Sequence, residues 1–207
     1  ESQIQQAVYS LSLFVENAAD GVIENEHKVN SMEVEIDREL SSIIARRQPA
    51  ASDLRMIMMV VKTITDLERI GDEATKIARV AQKIYESDRM YKPRFNEITS
   101  MVALVREMLR TSLDAFARLD VTKTVEVARQ DEQVDEQFRA AMRQLITFML
   151  EDPRTISMSL EVLFVAKAIE RIGDHAKNIA EYVVYMVKGK DVRHTTVAEM
   201  ERETLAP

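Results

Sequence analysis

The amino-acid sequence predicts an all-α protein, a tandem duplication of a three-helix bundle with six helices, and three observations carry that prediction. First, the string Glu68-Arg-Ile-Gly-Asp72-Glu-Ala-Thr-Lys-Ile-Ala78 returns 102 positions later as Glu170-Arg-Ile-Gly-Asp174-His-Ala-Lys-Asn-Ile-Ala180, with eight of eleven residues identical. Solenoid repeats run at roughly 20 to 50 residues, so a period of this length means that a whole small domain was copied once. Second, the 207 residues include only four glycines, four prolines, no tryptophan and 5% aromatic residues, a composition that disfavours sheets with their tight turns. Third, the few helix breakers fall at matching places in the two halves.

Taken in order, the first helix of the first unit covers Glu1 to about Val15, shorter than its counterpart in the second unit, about Arg94 to Leu119. The chain is therefore expected to begin inside a helix whose N-terminal piece is missing. The second helices are predicted over Ala18 to Ile44 and Lys123 to Leu150, where Asn17 and Thr122 offer side-chain oxygens to the unpaired amides of a helix start. Pro49 and Pro153 mark the loops before each third helix, and the matching stretches of the two units run on to about Tyr85 and Tyr185. Ser87 to Asn96, polar and containing Pro93, reads as the linker between units. Residues 1–88 and 89–188 are thus the two units, and Gly189 to Pro207, charged and aperiodic, reads as a mobile tail.

Charge and composition narrow the function classes. A formal net charge of -7 argues against nucleic-acid binding, which normally needs a basic face. With no cysteine, a metal would have to be held by carboxylates, amides or the three histidines. The longest apolar run, Met56 to Val61, is far short of the roughly 20 residues that span a bilayer, so a soluble, cytoplasmic protein is expected. No Ser-His-Asp grouping, glycine-rich phosphate loop or cysteine nucleophile is visible, which points away from an enzyme.

The repeated motif lies on the third helix, and helical geometry places its groups. At about 100° per residue, Leu67, Ile70, Ala74, Ile77, Ala78 and Ala81 form one apolar stripe, with Glu68 and Asp72 together at its edge. Carboxylates four apart repel by a few tenths of a kcal/mol, so something is expected to offset them. Gly71, and Gly173 after it, would let a neighbouring backbone approach closely. On the second helix, Glu26 and Asn30 align with Asp131 and Asp135, an acidic residue followed four later by an oxygen-bearing one. Two such helices facing each other would bring together oxygen ligands suited to magnesium, manganese or calcium, and iron also accepts carboxylates. The alternative is a set of solvated ion pairs, with Lys76 four beyond Asp72 as one available partner.

The two Glu-Arg-Ile-Gly-Asp-x-Ala-x-x-Ile-Ala stretches, the segment Arg46 to Arg55, the Glu151 to Ser157 loop and the ending Tyr185 to His194 together resemble the PhoU family, accessory proteins of phosphate-specific transport systems. The similarity covers about Glu1 to His194. It implies two three-helix bundles, each with an acidic motif able to hold a divalent or multinuclear metal such as iron, manganese, magnesium or zinc. The matching positions here are Glu68, Asp72, Glu170 and Asp174, with Glu26, Asn30, Asp131 and Asp135 facing them. Asn30 departs from the acidic pattern, so the second unit is expected to hold a cation more strongly. The implied function is negative regulation of the phosphate-starvation response and of phosphate uptake. The implied partners are the ATPase subunit of the phosphate transporter and a phosphate-sensing histidine kinase, met at the face of the inner membrane, and a homodimer is compatible with the resemblance.

A rival reading is a carboxylate-bridged iron store or oxidase. Glu24-x-x-His27 has the spacing of di-iron bundles, but such sites use two Glu-x-x-His pairs and the second unit has Glu132 where His27 would align. His175 follows Asp174 directly and so points about 100° away from the carboxylates. Twelve methionines, among them Met56, Met58, Met59, Met142, Met149 and Met158, are expected mainly to fill the core. Arg46, Arg47 and Arg55, grouped in an acidic chain, are candidate contacts for an acidic partner face.

Overall fold

The computed structural model describes residues 2, 4, 6, 7, 16–86 and 96–205, which form helices joined by short turns with no strand among them. Residues 2, 4, 6 and 7 are helical, and Ile4 and Ala7 are buried in the core. The rest of the first predicted helix, and the linker from Ser87 to Phe95, lie outside the described residues. We number the continuous helices α1 (Glu16–Arg47), α2 (Ser52–Glu86), α3 (Asn96–Arg118), α4 (Thr122–Glu151), α5 (Ile156–Lys188) and α6 (Val197–Leu205). No described helix is long and apolar enough to cross a membrane.

The punctuation works largely as the sequence suggests. Pro49 sits in the α1–α2 turn, where Gln48 and Ala51 both take φ 47°, a left-handed conformation that only a tight turn imposes on a side-chain-bearing residue. Pro153 opens a single 3-10 turn, Pro153–Thr155, whose Arg154 amide donates to the Asp152 carboxylate. The caps differ from expectation. Asn17 lies within α1, and Thr122 is helical while Asp120, two residues earlier, accepts from the Thr122 amide at 2.9 Å and its hydroxyl at 2.6 Å. A carboxylate beats a hydroxyl here because the orphan amides carry the positive end of the helix dipole.

The tail is a correction. Beyond the α5 cap at Gly189, whose φ is 70° and where a Cβ would stand 2.6 Å from Arg55 Nη1, the chain turns back and forms α6. Val192 and Met200 are buried against Ala128 of α4 and Val184 of α5. Arg129 clamps Glu201 with two bonds of 2.8 Å. The start of α6 is a capping box: the Thr196 amide donates to Glu199, and the Glu199 amide donates back to the Thr196 hydroxyl.

The principal core runs through both units rather than dividing between them. Ile70, Ala74, Ile77, Ala78 and Ala81, the stripe predicted for α2, join Val105, Met108, Ile169 and Ile172 from the second unit in one buried cluster, with Leu67 packed against it. α2 and α5 make the most extensive helix pair. They run antiparallel, because Asp66 meets Asn178 while Glu73 meets Arg171. At Gly173 an added Cβ would meet only side chains, Val105 at 3.5 Å being nearest, so no backbone close approach explains that glycine. The methionines divide: Met59 and Met158 are buried, while Met56 and Met58 are exposed.

Candidate cation sites on facing helices

In the second unit the four expected carboxylates share one electrostatic neighbourhood between α4 and α5. Asp131 is buried, and burial raises its pKa, with Asp135 adding to the effect and Lys177 opposing it. Asp174 keeps solvent access, yet partial desolvation by the helix pair, followed by the carboxylates of Glu170, Asp131 and Asp135, raises it to about 6. Two lysines are built into this cluster. Lys177 donates to Asp131 at 2.8 Å, and Lys167 to Glu170 at 2.6 Å with its ammonium 5.5 Å from the Phe138 ring centre. Arg139 pairs with Asp135 at 3.2 Å.

The first unit brings the corresponding groups together on α1 and α2 with different surroundings. Glu68 is raised by burial, then by Asp72 and Glu33, with a further contribution from Glu26. Glu26, Asn30, Glu68 and Asp72 are all partly buried. Glu33 was not among the expected residues, although its place seven after Glu26 puts it on the same helix face two turns on. The lysines are absent. The 102-residue offset puts Thr65 and Thr75 where the second unit has Lys167 and Lys177, and the Thr75 hydroxyl is buried without a hydrogen-bond partner. The nearest cross-helix cation is Arg79, 3.8 Å from Glu26.

Among the described residues, no three carboxylate or histidine side chains stand close enough as placed to hold an ion. The donor set is nevertheless of the right chemistry: oxygen only, with Glu68, Asp131 and Asp174 all raised partly by neighbouring carboxylates. His27 is exposed, and His175 turns away from the cluster as its position requires.

His175 has a partner that the sequence reading missed. Its Nδ1 lies 2.7 Å from Asp66 across the α2–α5 seam, and Asp66 also accepts from Tyr182 at 2.8 Å and Asn178 at 3.3 Å. Burial and the bond to Asp66 push the Tyr182 hydroxyl well above the usual tyrosine range. Two turns along α2, buried Glu73 binds Arg171 at 2.7 Å and Lys76 at 2.9 Å, so Lys76 serves Glu73 rather than Asp72. Asp66 was legible in principle, since it falls one turn before Ile70 on an otherwise apolar stripe. Of the three loop arginines, Arg46 and Arg47 end α1 exposed, whereas Arg55 is partly buried with its guanidinium 5.8 Å from the Tyr185 ring centre.

The PhoU domain family model matches residues 1–81 and again 98–183. The chain is 47% identical to the phosphate-specific transport system accessory protein PhoU homolog of Pseudomonas putida, over 98% of this chain and 79% of that protein. It is 43% identical to the accessory protein PhoU of Escherichia coli K12, over 98% and 83%. The crystal structure of PhoU from Pseudomonas aeruginosa superposes with a TM-score of 0.87 at 45% identity, covering 91% of this chain and 90% of the other. The crystal structure of PhoU from Streptococcus pneumoniae gives 0.82 at 26% identity, covering 92% and 88%. With the duplicated motif, the paired carboxylate clusters and the whole-chain likeness in agreement, the chain belongs to the PhoU family.

Proposed function

We propose that this protein is a non-catalytic negative regulator of the phosphate-starvation response and of phosphate uptake, an adaptor joining the transporter ATPase to a phosphate-sensing histidine kinase. The observation that carries this reading is the double PhoU-domain match across nearly the whole chain, joined to relatives named as accessory proteins of phosphate-specific transport. It would work in the cytoplasm, reaching the inner membrane only through its partners. Deletion should leave phosphate-starvation genes switched on in phosphate-rich medium, and reintroducing the chain should switch them off. A reporter that stays regulated without the protein overturns the reading.

The same proposal includes a cation at each carboxylate cluster, held by Glu26, Glu68 and Asp72 with Asn30 in the first, and by Asp131, Asp135, Glu170 and Asp174 in the second. A bound divalent ion would supply positive charge where neighbouring carboxylates raise one another. In the second cluster it must compete with Lys167 and Lys177. Glu33, together with the absence of those lysines, reverses the order expected from Asn30 alone and makes the first cluster the stronger site. Elemental analysis of purified protein before and after chelation tests for the ion.

A further inference from the structure

The α2–α5 seam opens into two clefts, one at each end, and the duplication relates them position by position. Met59, Lys62, Glu181, Tyr182 and Tyr185 of one occupy the places taken by Glu161, Phe164, Arg79, Val80 and Lys83 in the other. Their characters have diverged. The cleft at Tyr182 and Tyr185 sets three cations, Arg55, Lys62 and Arg193, against Glu181 and Asp191, with Arg193 held by Asp191 and a half-buried Arg55 laid near the Tyr185 ring.

The other cleft, about 440 Å³, has the larger cationic excess. Five cations line it, Lys76, Arg79, Lys83, Lys167 and Arg171, against two carboxylates, Glu73 and Glu161, in a chain whose net charge is -7. Its floor is apolar, made by Ile77, Val80, Val165 and Ala168, and Phe164 stands at its edge 64% exposed. An exposed phenylalanine beside an apolar floor and a cationic rim has the composition of an interface anchor. Four of the five rim cations already sit against carboxylates of this chain: Arg171 and Lys76 against Glu73, Lys167 against Glu170, and Arg79 against Glu26. The rim is therefore spaced for carboxylates. Its modest local excess of charge suits a few acidic side chains, while the negative remainder of the surface would repel a long polyphosphate backbone.

We infer that this cleft is a docking site for an acidic segment of a partner protein, one that lays an aromatic or long aliphatic side chain beside Phe164 and its carboxylates against the rim. Its biological use rests on the adaptor reading above, but its existence can be tested apart from it. The probe is a fluorescein-labelled peptide with one phenylalanine flanked on both sides by glutamates, added to the full chain and followed by anisotropy. Saturable binding is expected, weakened about tenfold or more by Arg79→Glu with Lys83→Glu, and by a similar factor by Phe164→Ser. Lys62→Glu in the sister cleft should leave it unchanged. All four side chains are at least partly solvent-exposed, so retained helicity and melting temperature separate lost binding from lost fold. The inference is overturned if the peptide does not saturate, if an alanine-for-phenylalanine peptide binds equally, or if the variants change nothing. It is equally overturned if only a single-stranded oligonucleotide, an anionic vesicle or a second copy of this chain occupies the cleft. Peptide binding without any effect of gene deletion on phosphate-starvation genes would remove the adaptor reading and leave the docking site standing.

Discussion

The two carboxylate clusters began as copies and now solve the same electrostatic problem differently. Both crowd acidic side chains onto facing helices, where each additional charge raises its neighbours. The second unit supplies its own counter-charge through Lys167 and Lys177, while the first has threonines at both places and adds Glu33 where the second has Phe138. Asn30 replaces a carboxylate in the first cluster, but Glu33 restores the count to four acidic residues in each. The cations differ: Lys167, Lys177 and Arg139 reach the second cluster, Arg69 and Arg79 the first. An acidic motif predicts a cation only after its internal competitors are known.

The largest test of this contrast removes a competitor. Lys177→Met strands the nearly buried Asp131, and the apo protein should lose on the order of 1 to 3 kcal/mol in urea unfolding, less than a deeply buried pair because the lysine is partly exposed. Manganese should then restore more stability to the variant than to the parent. Equal stability of variant and parent would show that Lys177 is incidental.

A smaller effect separates the clusters directly. Manganese titration followed by paramagnetic resonance should resolve a tighter class abolished by Glu68→Gln with Asp72→Asn and a class about tenfold weaker abolished by Glu170→Gln with Asp174→Asn. The reverse order would restore the ranking expected from Asn30 alone and refute the role given to the lysines.

The smallest effect is the pH dependence contributed by Asp174. Its folded pKa, about 6, lies above its ordinary value of 3.8, so the folded state penalises its ionisation. That penalty is absent below the ordinary value, grows as pH rises and is complete above about 6, so it lowers stability toward neutral pH. Asp174→Asn should flatten this part of the profile by less than about 1 kcal/mol, since the residue keeps solvent access. A steeper profile in the variant would contradict the sign.

Much of the architecture was legible because it depends on local rules. The apolar stripe of α2, the proline-marked turns and the pairing of Glu68 with Asp72 all follow from helical period and breaker placement. What escaped was decided between segments far apart in the chain. Nothing local to Asp66 announces His175, Asn178 and Tyr182, and nothing near Asp131 announces Lys177. The α6 helix is a different kind of miss, since Thr196-Val-Ala-Glu199 is a capping box that local reading could have caught. Its apolar residues are too few for a visible period, and Val192 and Met200 gain their burial from α4 and α5.

The antiparallel seam carries a consequence for ancestry. A lone unit, before duplication, would have exposed the apolar stripe of its third helix and would have covered it with a second copy across a twofold axis, as an isologous dimer does. In such a dimer every contact occurs twice, so residue 66 and its mirror position, 168, must be the same amino acid. Fusion lifted that constraint. Here position 66 is aspartate and 168 alanine, position 73 glutamate and 175 histidine, and each half carries the complement of what the other gained. The Asp66–His175 and Glu73–Arg171 bridges are each made once, which a twofold pair of identical units could not do.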